Sequence, residues 1–130
     1  MLKTKTDITT REDVILLVNT FYDGIRAHAL LGPIFNNIAK VNWETHLPKM
    51  YSFWSSILLG EYSFTGNPMA THVNLSKSVP LTEKEFSAWI ILFDATVNNL
   101  FEGEKAEEAK TRAANIARLM LFKIEAAAGI

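Results

Sequence analysis

The sequence predicts an all-α single domain. Three observations carry that reading. Apolar residues recur at three- and four-residue intervals through long stretches, the mark of helices with one buried face. Thr9 with Glu12 and Thr82 with Glu85 have the spacing of a capping box, which opens a helix. No β-hairpin signal, internal repeat, domain linker or glycine-rich phosphate loop interrupts the pattern. The 130 residues are 48% hydrophobic, enough for one packed core. The expected structured span is about 8–126 of 1–130.

In chain order, the first helix opens at Thr9 and ends near His28, with Val14, Leu17, Val18, Phe21 and Ile25 on its apolar face. Ile15 and Tyr22 widen that face. Tyr22 therefore takes a hydroxyl into the interior, where it needs a partner; a tyrosine bonded to backbone would meet that need as well. Gly24 is a weak point, and His28 reads as a solvated side chain at the helix end. Pro33 starts a short turn that delivers Phe35 inward. Asn42 caps the second long helix, Trp43 to about Leu59, with Trp43, Leu47, Met50, Trp54, Ile57 and Leu58 on its stripe. His46 lies near the same face. Pro48 is awkward, because an interior proline removes a helical hydrogen bond; the first turn is distorted, or the regular helix starts later.

Asn67 can cap a further short helix, with Pro68 at its first position. His72 falls about one turn on, flanked by Met69, Val73 and Leu75. Thr82 opens the third long helix, which runs to about Phe101 with Phe86, Trp89, Ile90, Phe93, Val97 and Leu100 on one face. Gly103 suits its stop. Glu104 opens the last helix, with Ala109, Ala113, Ile116, Ala117, Met120 and Ile124 at core spacing. Its acidic first turn and basic later half suit the helix dipole.

Composition removes several functions. Lys and Arg number 13 against 14 Asp and Glu, a net charge of -1, so no basic stripe invites nucleic acid. No apolar run is long enough to cross a bilayer. The first residues lack the apolar core of a signal peptide, and a cytoplasmic location is the expectation. Cysteine is absent, which excludes disulfides, thiolate ligands and a cysteine nucleophile. Imidazole ligation must come from His28, His46 or His72.

Tyr22, His46, His72 and Trp89 stand on inward faces of four different helices. Phe35, Met50, Phe53, Trp54, Phe86 and Phe93 surround them. That set describes an apolar pocket with a few polar points, and its chemistry is that of a haem site. His72 supplies the single protein bond to iron, the proximal arrangement of globins and peroxidases. A diatomic ligand opposite it becomes partly negative. Tyr22 O–H, Trp89 indole N–H and an imidazole N–H of His46 can donate to that charge. His46 could instead ligate iron itself, or swing to admit a ligand. A lone histidine among apolar residues, and an aromatic stripe at helical spacing, also occur as plain core packing.

The sequence resembles the truncated haemoglobins, and within them the third group, over about Ile8 to Met120. The resemblance is carried by Phe21-Tyr22, Leu31-Gly32-Pro33-Ile34-Phe35, His46-Leu47-Pro48-Lys49-Met50 and Phe53-Trp54-Ser55-Ser56. Gly66-Asn67-Pro68-Met69-Ala70-Thr71-His72 and Phe86-Ser87-Ala88-Trp89 complete it. Pro48 belongs to that pattern. The glycine pair of the wider family is missing, as in the third group. The resemblance implies a truncated globin fold, a two-over-two helical sandwich around haem b (iron protoporphyrin IX). His72 takes the proximal position, and Tyr22, His46 and Trp89 the distal polar positions. Phe35 packs on the haem face, and Met50 stands one turn after the distal histidine. Thr71 occupies the place where some members carry a basic residue for a haem propionate; Lys49 is the residue named for that role here.

The function that follows is binding of O2, CO or NO. Three distal donors slow the loss of a polar ligand, which favours NO/O2 or peroxide chemistry, or sensing, over bulk oxygen transport or storage. An NO dioxygenase or peroxidase-like activity and an unidentified reductase are the associated expectations. Two other classes compete: a haem-free helical interaction module whose aromatics are core, and a histidine-bound zinc hydrolase. The latter lacks His-Glu-x-x-His spacing.

Overall fold

A computed structural model of the chain describes residues 5–34, 43–60 and 82–127. Phe35 and the expected short helix with His72 lie outside the described residues. The helices are α1 (Arg11–Ala27), the single turn α2 (Leu31–Pro33), α3 (Trp43–Leu59), α4 (Glu83–Leu100) and α5 (Glu104–Ala127). α1 packs on α3 and α4 packs on α5, while α1 lies against α4 and α3 touches α5. The result is one helix pair stacked on another, as expected. No strand occurs among the described residues, and none of their helices is long and apolar enough to cross a membrane.

α1 starts one residue later than the spacing of Thr9 and Glu12 suggests. Thr10 is the N-cap: its hydroxyl accepts the Asp13 N–H at 3.2 Å. The Asp13 carboxylate accepts from Thr10 N–H at 3.1 Å and Thr9 N–H at 2.9 Å. Both registers offer a threonine and an acid three residues on. The shorter aspartate closes the box while Ile8, two residues before the cap, is fully buried and anchors the incoming chain. Val14, Leu17, Val18, Phe21, Tyr22 and Ile25 are buried, as the periodicity predicts. Gly24 leaves room for Leu92 of α4, since a Cβ there would sit 3.1 Å from Leu92 Cδ1.

His28 is not simply solvated. It is half-buried, and its Nδ1 accepts the backbone N–H of Leu30 at 3.1 Å and of Leu31 at 3.2 Å. The turn into α2 exposes N–H groups that need acceptors, and a neutral imidazole beside them is one. α3 continues through Pro48, which is exposed; the chain tolerates the lost bond without ending the helix. Thr82 and Glu85 form the expected box, the carboxylate accepting from both the N–H and the hydroxyl of Thr82 at 2.6 Å.

Gly103 does not end α4, whose C-cap is Phe101. It opens α5. Its φ is +145°, a conformation that disfavours any side chain. A Cβ there would also lie 2.5 Å from Asp7 Cγ. The space is taken because Asp7 caps α5 from a distant part of the chain. Its carboxylate accepts from Lys105 N–H at 2.9 Å and Ala106 N–H at 2.8 Å, while Thr6 C=O accepts the Glu102 N–H at 3.0 Å. Ala106, Ala109, Ala113, Ala117, Met120 and Ile124 of α5 are buried.

Desolvation pushes the Asp7 carboxyl up, but its bonds from Lys105, Ile8 and Ala106 N–H together hold it below the ordinary 3.8. A carboxyl depressed in the native state adds stability above its unfolded value and loses it as pH falls through the lower folded value. Asp7→Ala should therefore lower stability by about 1 kcal/mol near neutral pH. In urea unfolding measured against pH, the gap between variant and parent should close below the folded value.

Candidate functional site

The site is built outward from Phe21, near the middle of α1. Its ring meets Tyr22 edge-on at 5.1 Å, Trp89 at 5.5 Å and Phe93 at 5.1 Å between centroids. Tyr22 in turn meets the His46 ring at 5.2 Å and 85°. Three of the four inward-facing polar residues are thus linked, Tyr22 and Trp89 through Phe21 and His46 through Tyr22. They come from α1, α3 and α4, and α1 packs on both of the others. Behind them Trp89 stacks on Phe93 at 5.7 Å, and Phe93 stacks on Trp54 at 5.0 Å. Edge and stacked pairs of this kind add about 0.5–1.5 kcal/mol each beyond the area they bury.

Tyr22 is buried. Burial pushes its phenol well above the ordinary value of 10.0, because a phenolate there would forfeit its hydration. The residue is therefore a hydroxyl throughout the physiological range and able to donate. His46 is half-buried, with a buried Nε2. Trp89 is half-buried and brings an N–H that can only donate. The chemistry of this set, polar hydrogens carried on rings within an apolar wall, suits a small ligand carrying partial negative charge. Neutral donors also avoid the cost of burying a cation.

The remaining predicted residues divide by position. Trp54 and Phe93 are buried in the aromatic wall, and Met50 and Phe53 pack partly buried against the same core. Phe53 meets Trp54 edge-on at 5.5 Å. Phe86 is half-buried and lines a groove between α4 and α5. Lys49 is exposed. The ligand expected from His72 and the ring expected from Phe35 lie outside the described residues. Among the described residues no group of three or more His, Cys, Asp or Glu side chains could hold a metal ion.

Two features were not legible in advance. Phe21 reads in the sequence as one core residue among five; only the crossing of α1 on α4 makes it the junction. The Tyr51 hydroxyl donates to Asn19 Oδ1 and ties α3 to α1 beside the site. The half-polar character of position 51, one residue past Met50 on the helix, was the available signal.

Two helix pairs stacked around an aromatic wall that carries Tyr22, His46 and Trp89 define a shortened globin. No protein-family model matches the chain. The group 3 truncated haemoglobin ctb of Campylobacter jejuni is 32% identical over 125 residues, covering 92% of this chain and 96% of that protein. The crystal structure of the group III truncated haemoglobin from Campylobacter jejuni superposes with a TM-score of 0.80 at 29% identity, covering 93% of this chain and 95% of that one. The chain belongs to the group 3 truncated haemoglobins.

The buried phenol yields a direct test. In an alkaline titration followed by ultraviolet absorbance, Tyr22 should ionise only above the ordinary tyrosine range, or with unfolding. Tyr22→Phe should remove that late phase.

Proposed function

We propose that the chain binds haem b through His72 and holds a diatomic ligand, O2, CO or NO, beneath Tyr22, His46 and Trp89. The observation that carries this reading is the buried Tyr22 phenol set edge-on to His46 and joined to Trp89 through Phe21, in a chain that belongs to a haemoglobin family. Bound haem would supply an iron centre able to take such a ligand and to exchange electrons. The fit lies in the donor set: hydroxyl, indole and imidazole hydrogens with aromatic rings around them. The apolar wall of Phe21, Trp54 and Phe93 excludes water and strengthens each donor's electrostatic effect.

We infer ligand chemistry, with NO/O2 or peroxide detoxification as its classes, or sensing, in preference to transport. Donors aimed at developing negative charge retain a polar ligand, and a carrier must release it. The neutral Tyr22 phenol is central to this. It donates a hydrogen bond without presenting a charge that would repel or trap an incoming neutral gas. A protein reductase that returns ferric iron to the ferrous state is the partner this chemistry requires.

The test begins with His72→Gly, which should lose haem or bind it only with added imidazole. His46→Leu should keep haem. A Soret spectrum in His72→Gly identical to that of the parent would contradict the assignment. Tyr22→Phe and Trp89→Phe should each speed oxygen dissociation by about tenfold or more, the worth of a hydrogen bond to a charged acceptor. Unchanged stopped-flow rates in both variants would remove the case for retention.

A further inference from the structure

Away from the aromatic wall, α4 and α5 form a shallow groove of about 420 Å³ on the surface. Its floor is apolar: Phe86 and Ile90 from α4, Ala117 and Leu121 from α5. Ile91, which also lines the groove, is 70% exposed, and elsewhere on α5 Phe122 is 68% exposed. Large side chains left this open on adjoining helices mark a surface that is covered in use.

Glu83 and Arg118 also line the groove, an acid on α4 and a base on α5. Both are exposed, and among the described residues neither makes an ion pair or a side-chain hydrogen bond. A face with one charge of each sign attracts neither a polyanion nor an anionic membrane. It does complement itself. We propose that this groove is the face through which two copies of the chain associate. A two-fold axis running along the groove lays α4 of each copy over α5 of the other. It brings Glu83 to Arg118 of the partner subunit, and the reverse pair follows from the symmetry. Ile91 then fills the facing groove and supplies the apolar contact, and the ion pairs set the register.

The test is sedimentation velocity of the full chain, with haem supplied, across about a hundredfold range of concentration. The weight-average mass should climb from the 14.6 kDa of one chain toward twice that value. Ile91→Glu should weaken association by at least about tenfold. Glu83→Arg and Arg118→Glu should each weaken it, and the double exchange should restore it. Circular dichroism verifies that each variant is folded, and the readout is independent of whether haem is bound. A parent chain of single mass at every concentration would overturn the proposal; so would a groove that receives only a different protein, because the parent would then remain single. A dimer untouched by Ile91→Glu in a folded protein, or single exchanges that weaken it without restoration in the double, would overturn it as well.

Discussion

The packing of one ring, Phe21, constrains the rest of the molecule. A phenylalanine offers a positive edge and a negative face, and Phe21 meets three other rings at steep angles. Those rings belong to α1 itself and to α4, so the helix crossing and the arrangement of donors are the same fact. Tyr22 cannot rotate away without breaking its contact with Phe21, and Trp89 is held between Phe21 and Phe93. A close-packed interior leaves few alternative rotamers. Donors held this way lose little freedom when a ligand arrives, which is how a rigid core serves a binding site.

Burial supplies the chemistry as well as the position. The same removal of water that stabilises the helix pairs also raises the Tyr22 phenol and keeps it a donor. Asp7 shows the opposite outcome under the same physics. Desolvation there is outweighed by backbone N–H bonds, so the carboxylate persists and caps α5. Whether a partly buried group holds its charge depends on what it can bond, and the fold uses both results.

Much of this was legible in the sequence. Helical periodicity located α1, α3, α4 and α5, and the Thr82–Glu85 spacing marked the start of α4. The inward faces of Tyr22, His46 and Trp89 followed from the same periodicity. The misreadings have physical causes. Thr9 and Thr10 offered equivalent boxes, and the burial of Ile8, a tertiary matter, decided between them. Gly103 has the composition of a stop, but its positive φ serves the entry to α5, where Asp7 fills the room a side chain would need. His28 looked exposed because local sequence does not show that the next turn needs an acceptor. Tertiary contacts decided the first two of these and a local turn the third, and pattern alone carries neither.

The central claim, which rests on the proposed function, is that Phe21 holds Tyr22 and Trp89, and Tyr22 in turn meets His46, so that their polar hydrogens serve a bound ligand. Carbon monoxide on the haem-loaded chain reports that field through the infrared C–O stretch, which falls as donors approach the oxygen. The account predicts a stretch lower in the parent than in Tyr22→Phe, and a shift in the same direction for Phe21→Leu, which leaves every donor in place but unsupported. One and the same frequency in parent, Tyr22→Phe and Phe21→Leu would contradict it.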